Sequence, residues 1–247
     1  MRKLFLAVVL LMVFSVGAFG QKDTNKIKFY PFISINSGIG MPLLQDNTNI
    51  YGTFALNGNV VNIYGIMPIK HSRFSIGGII IYGSNKFDLY AYAKDIGSTT
   101  ITSIGAENYD EYIVLSGVSL SIPGEYISID FRLLGGPLYF KTPEIDYSGE
   151  FYTASLTGSN EIGAWSVRQQ SEVLFNIDIG SSIKFKLTKK LFGLLNADII
   201  GTYPDNGYYM TTQFTSSINS SYNYVRQENN TASLLLLNLT IGIGYRL

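Results

Sequence analysis

Six charged residues stand where strand-like alternation would turn them towards one side: Asp130, Arg132, Asp178, Lys184, Asp198 and Arg246. Carboxylates and cations interleaved in this way can do three kinds of work. They can neutralise one another in a polar core, form a gate that opens when a pair breaks, or pass protons between acids. Counting along the segments that carry them puts Arg132 near Asp178 and Asp130 near Lys184. Asp198 then falls near Asp178, and two like charges so placed need a cation between them, for which Arg132 is the candidate. A structural polar core is the plainest reading, because an unpaired charge in a narrow interior is costly. Proton chemistry centred on Asp178 and Asp198 is the sharpest.

Other reactive residue types are scarce. The chain has no Cys and a single His, His71. A disulfide scaffold, a thiolate zinc site, a Cys nucleophile and a multi-histidine metal site are therefore excluded, and no metal or cofactor is expected. Among 247 residues, 18 Lys and Arg balance 18 Asp and Glu, and charged residues make up 15%. That is well below the ~25% of ordinary soluble domains. Balanced charge leaves no basic face for nucleic acid.

The elements that position these residues follow an export signal. Arg2 and Lys3 precede an apolar run from Leu4 to Phe14, with small residues at Ala18 and Gly20. This is the pattern of a cleaved secretory signal, residues 1–20, leaving a single domain over residues 21–247. The run is shorter than the ~20 apolar residues of a spanning helix. No Cys sits near the cut to carry a lipid anchor.

After Gln21 the sequence alternates with a period of two. Ile127, Ile129, Phe131 and Leu133 alternate with Ser128, Asp130 and Arg132. Val173, Phe175, Ile177, Ile179 and Ile183 alternate with Asn176, Asp178, Gly180, Ser182 and Lys184. Leu237, Leu239, Ile241, Ile243 and Tyr245 alternate with Asn238, Thr240, Gly242, Gly244 and Arg246. Pleating sends the two sets to opposite faces. Strands are expected near 27–40, 57–68, 73–82, 112–122, 126–137, 172–187, 191–202 and 233–247. Three connections are tight polar turns: Pro68–Ser72, Pro123–Glu125 and Thr188–Lys190. The other four, 41–56, 83–111, 138–171 and 203–232, are long.

The fold class is therefore all-β: an eight-stranded antiparallel up-and-down transmembrane β-barrel. Its apolar faces look to lipid, and its interior is expected to be packed and polar. Two alternatives share the same alternation: a ten-stranded barrel, if a loop hairpin enters the membrane, and a soluble lipocalin-like barrel with its apolar faces inward. Within the long connections, Phe151–Thr157 with Ile162–Ser166, and Tyr208–Thr215 with Tyr222–Tyr224, read as hairpins that raise the wall above the membrane. Aromatic girdles are expected from Phe29, Tyr30 and Phe32 at one end, and from Tyr82, Tyr112, Tyr139 and Phe140 at the other.

At its C-terminus the chain resembles the small bacterial outer-membrane barrels of the OmpA- and OmpX-like family. Thr240, Gly242, Tyr245 and Leu247 match the terminal pattern of a polar residue, a glycine and two final hydrophobic or aromatic residues; Leu247 stands where Phe is more usual. The resemblance implies insertion in the outer membrane, with lipids and the barrel-assembly machinery as partners. It implies no single activity.

Three functions are compatible with such a barrel. The leading expectation is a non-enzymatic surface role, structural or adhesive, in which a Tyr-, Ser- and Thr-rich loop sheet takes a partner along an exposed edge. The second is a narrow pore for ions or small solutes, disfavoured because eight strands leave an interior just wide enough for side chains. The third is a lipid-modifying enzyme, disfavoured because His71 lies on a short turn, away from the outer leaflet.

Overall fold

The computed structural model describes residues 30–43, 55–69, 72–91, 98–152, 160–167, 169, 171–202, 208–216, 224–230 and 235–247. In chain order the strands are β1 (Phe32–Pro42), β2 (Ala55–Pro68), β3 (Phe74–Phe87), β4 (Ser98–Ala106), β5 (Tyr109–Ile122), β6 (Ile127–Lys141), β7 (Ile145–Tyr152), β8 (Asn160–Val167), β9 (Ser171–Lys186), β10 (Leu191–Thr202), β11 (Tyr208–Ser216), β12 (Tyr224–Asn230) and β13 (Leu235–Arg246). The export signal, Phe29 and His71 lie outside the described residues.

Eight of these strands close into an antiparallel barrel in the order β1-β13-β10-β9-β6-β5-β3-β2. Closure is made by β1 against β13, in an unbroken register from Phe32↔Arg246 to Pro42↔Leu236. The outward face is apolar: Ile35, Ile76, Ile80, Ile241 and Ile243 are each more than half exposed. A soluble barrel could not leave this belt in water, so the lipocalin-like alternative falls. On the outside, Tyr82, Tyr112 and Tyr139 form a ladder across β3, β5 and β6 with ring centroids 5.1 and 6.0 Å apart. Phe74, Tyr126 and Tyr245 are exposed at the opposite end. From Phe74 to Tyr82 the strand runs ~27 Å, which at a tilt near 40° is roughly 20 Å of height, close to a hydrocarbon slab. Phe32 and Phe140 are not girdle residues; both are buried, pointing inwards.

The other five strands form a second sheet, in the order β12-β11-β8-β7-β4. Each follows or precedes a barrel strand by a few residues, and the order repeats that of β13-β10-β9-β6-β5 below it. The outer sheet is thus the upward continuation of five adjacent barrel strands. This removes the ten-stranded alternative, because β7, β8, β11 and β12 pair with one another rather than entering the barrel wall. Several barrel strands also run further outward than the alternation suggested: β3 to Phe87, β6 to Lys141, and β5 from Tyr109. Above the hydrocarbon an outward side chain need not be apolar, so the ladder continues where the pattern fades.

The interior departs from the expected polar packing. Ile79, Ile81, Ile113, Leu115, Leu134 and Leu138 are buried on the inward faces of β3, β5 and β6. Asn36, Asn62, Asn196, Asn238 and Thr240 are buried on β1, β2, β10 and β13. The wall of β3, β5 and β6 is apolar where these residues sit and polar nearer the short turns, at Ser75, Ser119, Ser121 and Asp130; the wall of β1, β2, β10 and β13 is the more polar of the two. The periodic signal missed this because β3 carries Ile on both faces, as Ile79-Ile80-Ile81.

Orientation can be tested at mid-height. Ile241→Lys places a charge in lipid and should lower stability by about 2–4 kcal/mol in urea unfolding from vesicles. No change in midpoint would mean that this face does not look to hydrocarbon.

Candidate functional site

Alternation turns Asp130 and Arg132 on β6, Asp178 and Lys184 on β9, and Asp198 on β10 into the lumen, and these three strands are neighbours. Register then sets the partners. Asp130 faces Ser182 and Arg132 faces Gly180, which in turn faces Asp198. The Arg132 Nε donates to Asp198 Oδ1 at 2.8 Å and lies 3.6 Å from Asp178 Oδ2. Its terminal nitrogens donate to Ser182 and again to Asp198. Lys184 Nζ is 2.7 Å from Asp130 Oδ2. Asp130, Asp178 and Asp198 are each fully buried. Arg246 does not join them: it stacks on Tyr30 at the short-turn mouth, 4.3 Å from the ring centroid.

Two further residues make this arrangement fit. Tyr64 on β2 lies beneath the guanidinium, 4.8 Å from ring centroid to Cζ. The guanidinium, anchored to β9 and β10 on one side and stacked on β2 on the other, therefore bridges the lumen. At Gly180, an added Cβ would collide with the Asp198 carboxylate and the Arg132 side chain. Neither residue was singled out from the sequence. The signal for Tyr64 was its parity with Val60, Asn62 and Ile66, all inward; that for Gly180 was its place between Asp178 and Ser182.

Layers close the lumen above and below the network. On the turn side, Phe32 packs edge-on to Tyr64 and Phe192 at 5.6 and 4.9 Å. On the loop side, Leu134, Leu138, Ile113 and Leu174 fill the cross-section, capped by Tyr109 stacked on Phe140 at 5.8 Å. The polar wall pairs within itself: Asn36 Nδ2 donates to Asn62 Oδ1 at 2.6 Å, and Asn196 Nδ2 to Thr240 Oγ1 at 3.0 Å. Of the residues in the terminal pattern, Thr240 and Gly242 face the lumen, while Tyr245 and Leu247 face outwards. A Cβ at Gly242 would strike Asn36, so glycine there keeps the β1–β13 seam closed over the asparagine layer.

The topology also exposes a charge separation hidden by the zero net charge. Among the described residues, the short-turn end (69, 72–73, 123–126, 186–190 and 246–247) carries five basic residues and one acidic. The long-connection end (43, 55–56, 85–91, 98–111, 139–152, 160–167, 169, 171–172, 208–216 and 224–230) carries ten acidic residues and three basic. In barrels of this kind short turns face the periplasm and long connections the exterior. The periplasmic mouth is basic and the outer face acidic.

No protein-family model and no curated protein matches the chain. Among solved structures, a major outer membrane protein from Thermus thermophilus is similar at 11% identity and TM-score 0.48, over 88% of this chain and 99% of that one. Ail, the attachment invasion locus protein of Yersinia pestis, is similar at 13% identity and TM-score 0.42, over 89% and 100%. Neisserial surface protein A is similar at 9% identity and TM-score 0.41, over 88% and 97%. The chain itself is a closed eight-stranded transmembrane β-barrel, lipid-facing on its outer surface and with its wall continued outwards on one side.

Two consequences of the network are measurable. Arg132→Ala strands two buried carboxylates and should cost about 3–5 kcal/mol in urea unfolding from vesicles. Gly180→Ala, by displacing the guanidinium, should move the midpoint in the same direction but less. An unchanged midpoint for Arg132→Ala would show that this residue does not brace the barrel.

Proposed function

We propose that the protein is a non-enzymatic surface receptor or adhesin whose working part is the five-stranded outer sheet. The observation that carries this is the contrast between the sheet's two edges. The β4 edge has register shifts between Ser98 and Thr100 and between Ile101 and Ser103 against β7. Irregularities of that kind blunt a sheet edge against strand addition. The opposite edge, β12, pairs with β11 without interruption from Tyr208↔Asn230 to Phe214↔Tyr224, and no described strand lies on its other side. An extended partner segment can lengthen the sheet there through main-chain hydrogen bonds. The acidic outer face favours a partner carrying net positive charge.

The enzymatic reading is weaker on geometric grounds. Asp178 and Asp198, the acids best placed for proton chemistry, are both held by Arg132 and sealed between aromatic and apolar layers. A substrate has no room to reach them. Arg132 also opposes the pore reading, since it bridges the lumen where solute would pass.

Surface display in a non-adherent host supplies the test. Wild type should increase the number of cells retained on epithelial monolayers. Arg226→Pro together with Glu228→Pro on β12 should abolish the gain while the barrel still migrates heat-modifiably on detergent gels. Equal retention of wild type and the proline variant would exclude the β12 edge.

A further inference from the structure

The periplasmic mouth holds a cavity of about 480 Å³, within the size range of small-molecule sites. Its floor is aromatic, formed by Phe32 and Phe192 in edge-to-face contact. Its rim is cationic, formed by Lys184, Lys186, Lys189, Lys190 and Arg246. Of these five, Lys184 is neutralised by Asp130. The other four form no ion pair among the described residues; Arg246 and Lys190 instead lie over the rings of Tyr30 and Tyr245. Stacking of this sort orients a cation without cancelling its charge. Glu125 is the single acidic residue in the lining.

We propose that this mouth is a binding site for an organic phosphate: an anionic head held by Lys186, Lys190 and Arg246, and an apolar or aromatic body resting on Phe32 and Phe192. A neutral ligand would leave an excess of positive charge around the cavity. A bare inorganic anion would engage the rim and leave the aromatic floor uncovered. A phosphate ester satisfies both, since its oxygens accept several charge-assisted hydrogen bonds and its substituent covers the rings. The apolar layers above confine the ligand to the mouth, so it binds without passing through. Its source is either a phospholipid headgroup of the periplasmic leaflet or a soluble phosphate ester, and the two have the same chemistry at the rim.

Calorimetric titration of the full chain in phosphatidylcholine nanodiscs with phenyl phosphate should show saturable binding. Affinity should fall about tenfold or more in the Lys186→Gln, Lys190→Gln, Arg246→Gln variant, which loses its charge-assisted donors. Inorganic phosphate and benzyl alcohol should each bind much more weakly than phenyl phosphate. Native mass spectrometry from phosphatidylglycerol-containing nanodiscs separates the sources. Retention of one phosphatidylglycerol by the wild type, lost in the triple variant and competing with phenyl phosphate, identifies the headgroup. Phenyl phosphate binding that survives in phosphatidylglycerol nanodiscs, with equal lipid retention by both proteins, identifies a soluble ester. The site is overturned if phenyl phosphate binds wild type and triple variant alike, or no better than inorganic phosphate. Because the substituted residues lie at the mouth, the heat-modifiable shift of the variant reports separately that the barrel has folded.

Discussion

A strand in hydrocarbon has nowhere to send its backbone polar groups except to another strand, and each group left over costs several kcal/mol. The pairing of β1 with β13 answers that constraint, joining the first barrel strand to the last over eleven residue pairs. Once the ring is closed, alternation leaves no freedom: every second residue must be acceptable to lipid and every other one must fit a narrow lumen. The outward isoleucines and the inward asparagines, glycines and charges are consequences of the same closure.

Inside the ring, space and charge are settled together. Arg132 is long enough to serve two aspartates on one side and a tyrosine face on the other, and it fits because Gly180 leaves room beside it. Burying three carboxylates against two cations is tolerable only with short contacts. The aromatic layer below and the aliphatic layer above enclose Arg132, Asp178 and Asp198, while Lys184 reaches Asp130 from the edge of the mouth. The lumen is a packed core turned polar on one side, and its packing is what argues against conduction.

The two ends face different solvents. The closed ring needs only short links below, and these concentrate lysine and arginine around a concave mouth with an aromatic floor. Above, five strands outrun the membrane and continue as an open sheet. An open sheet in water has edges, which the barrel itself has abolished, and one of them is regular enough to accept another strand. The proposed recognition surface lies where closure stops.

Much of this was legible in the residues. Period-two alternation at Ile177–Ile183 or Leu237–Tyr245, and the contrast between three tight turns and four long connections, were enough for eight strands, their order and the inward parity of Asp130, Arg132, Asp178, Lys184 and Asp198. Those features are local, because pleating and turn chemistry act over a few residues. The apolar wall of the lumen was not legible, since Ile79, Ile80 and Ile81 carry no contrast between faces. Nor was β4, although Ser98-Thr99-Thr100-Ile101-Thr102 is rich in β-branched residues that favour a strand. The union of β4, β7, β8, β11 and β12 into one sheet, the reach of Arg132 to Tyr64, and the gathering of Lys186, Lys190 and Arg246 over Phe32 and Phe192 depend on contacts between distant segments. Alternation says that a strand has two faces; only the closed register decides which side chains on different strands share a height, and so which charges meet.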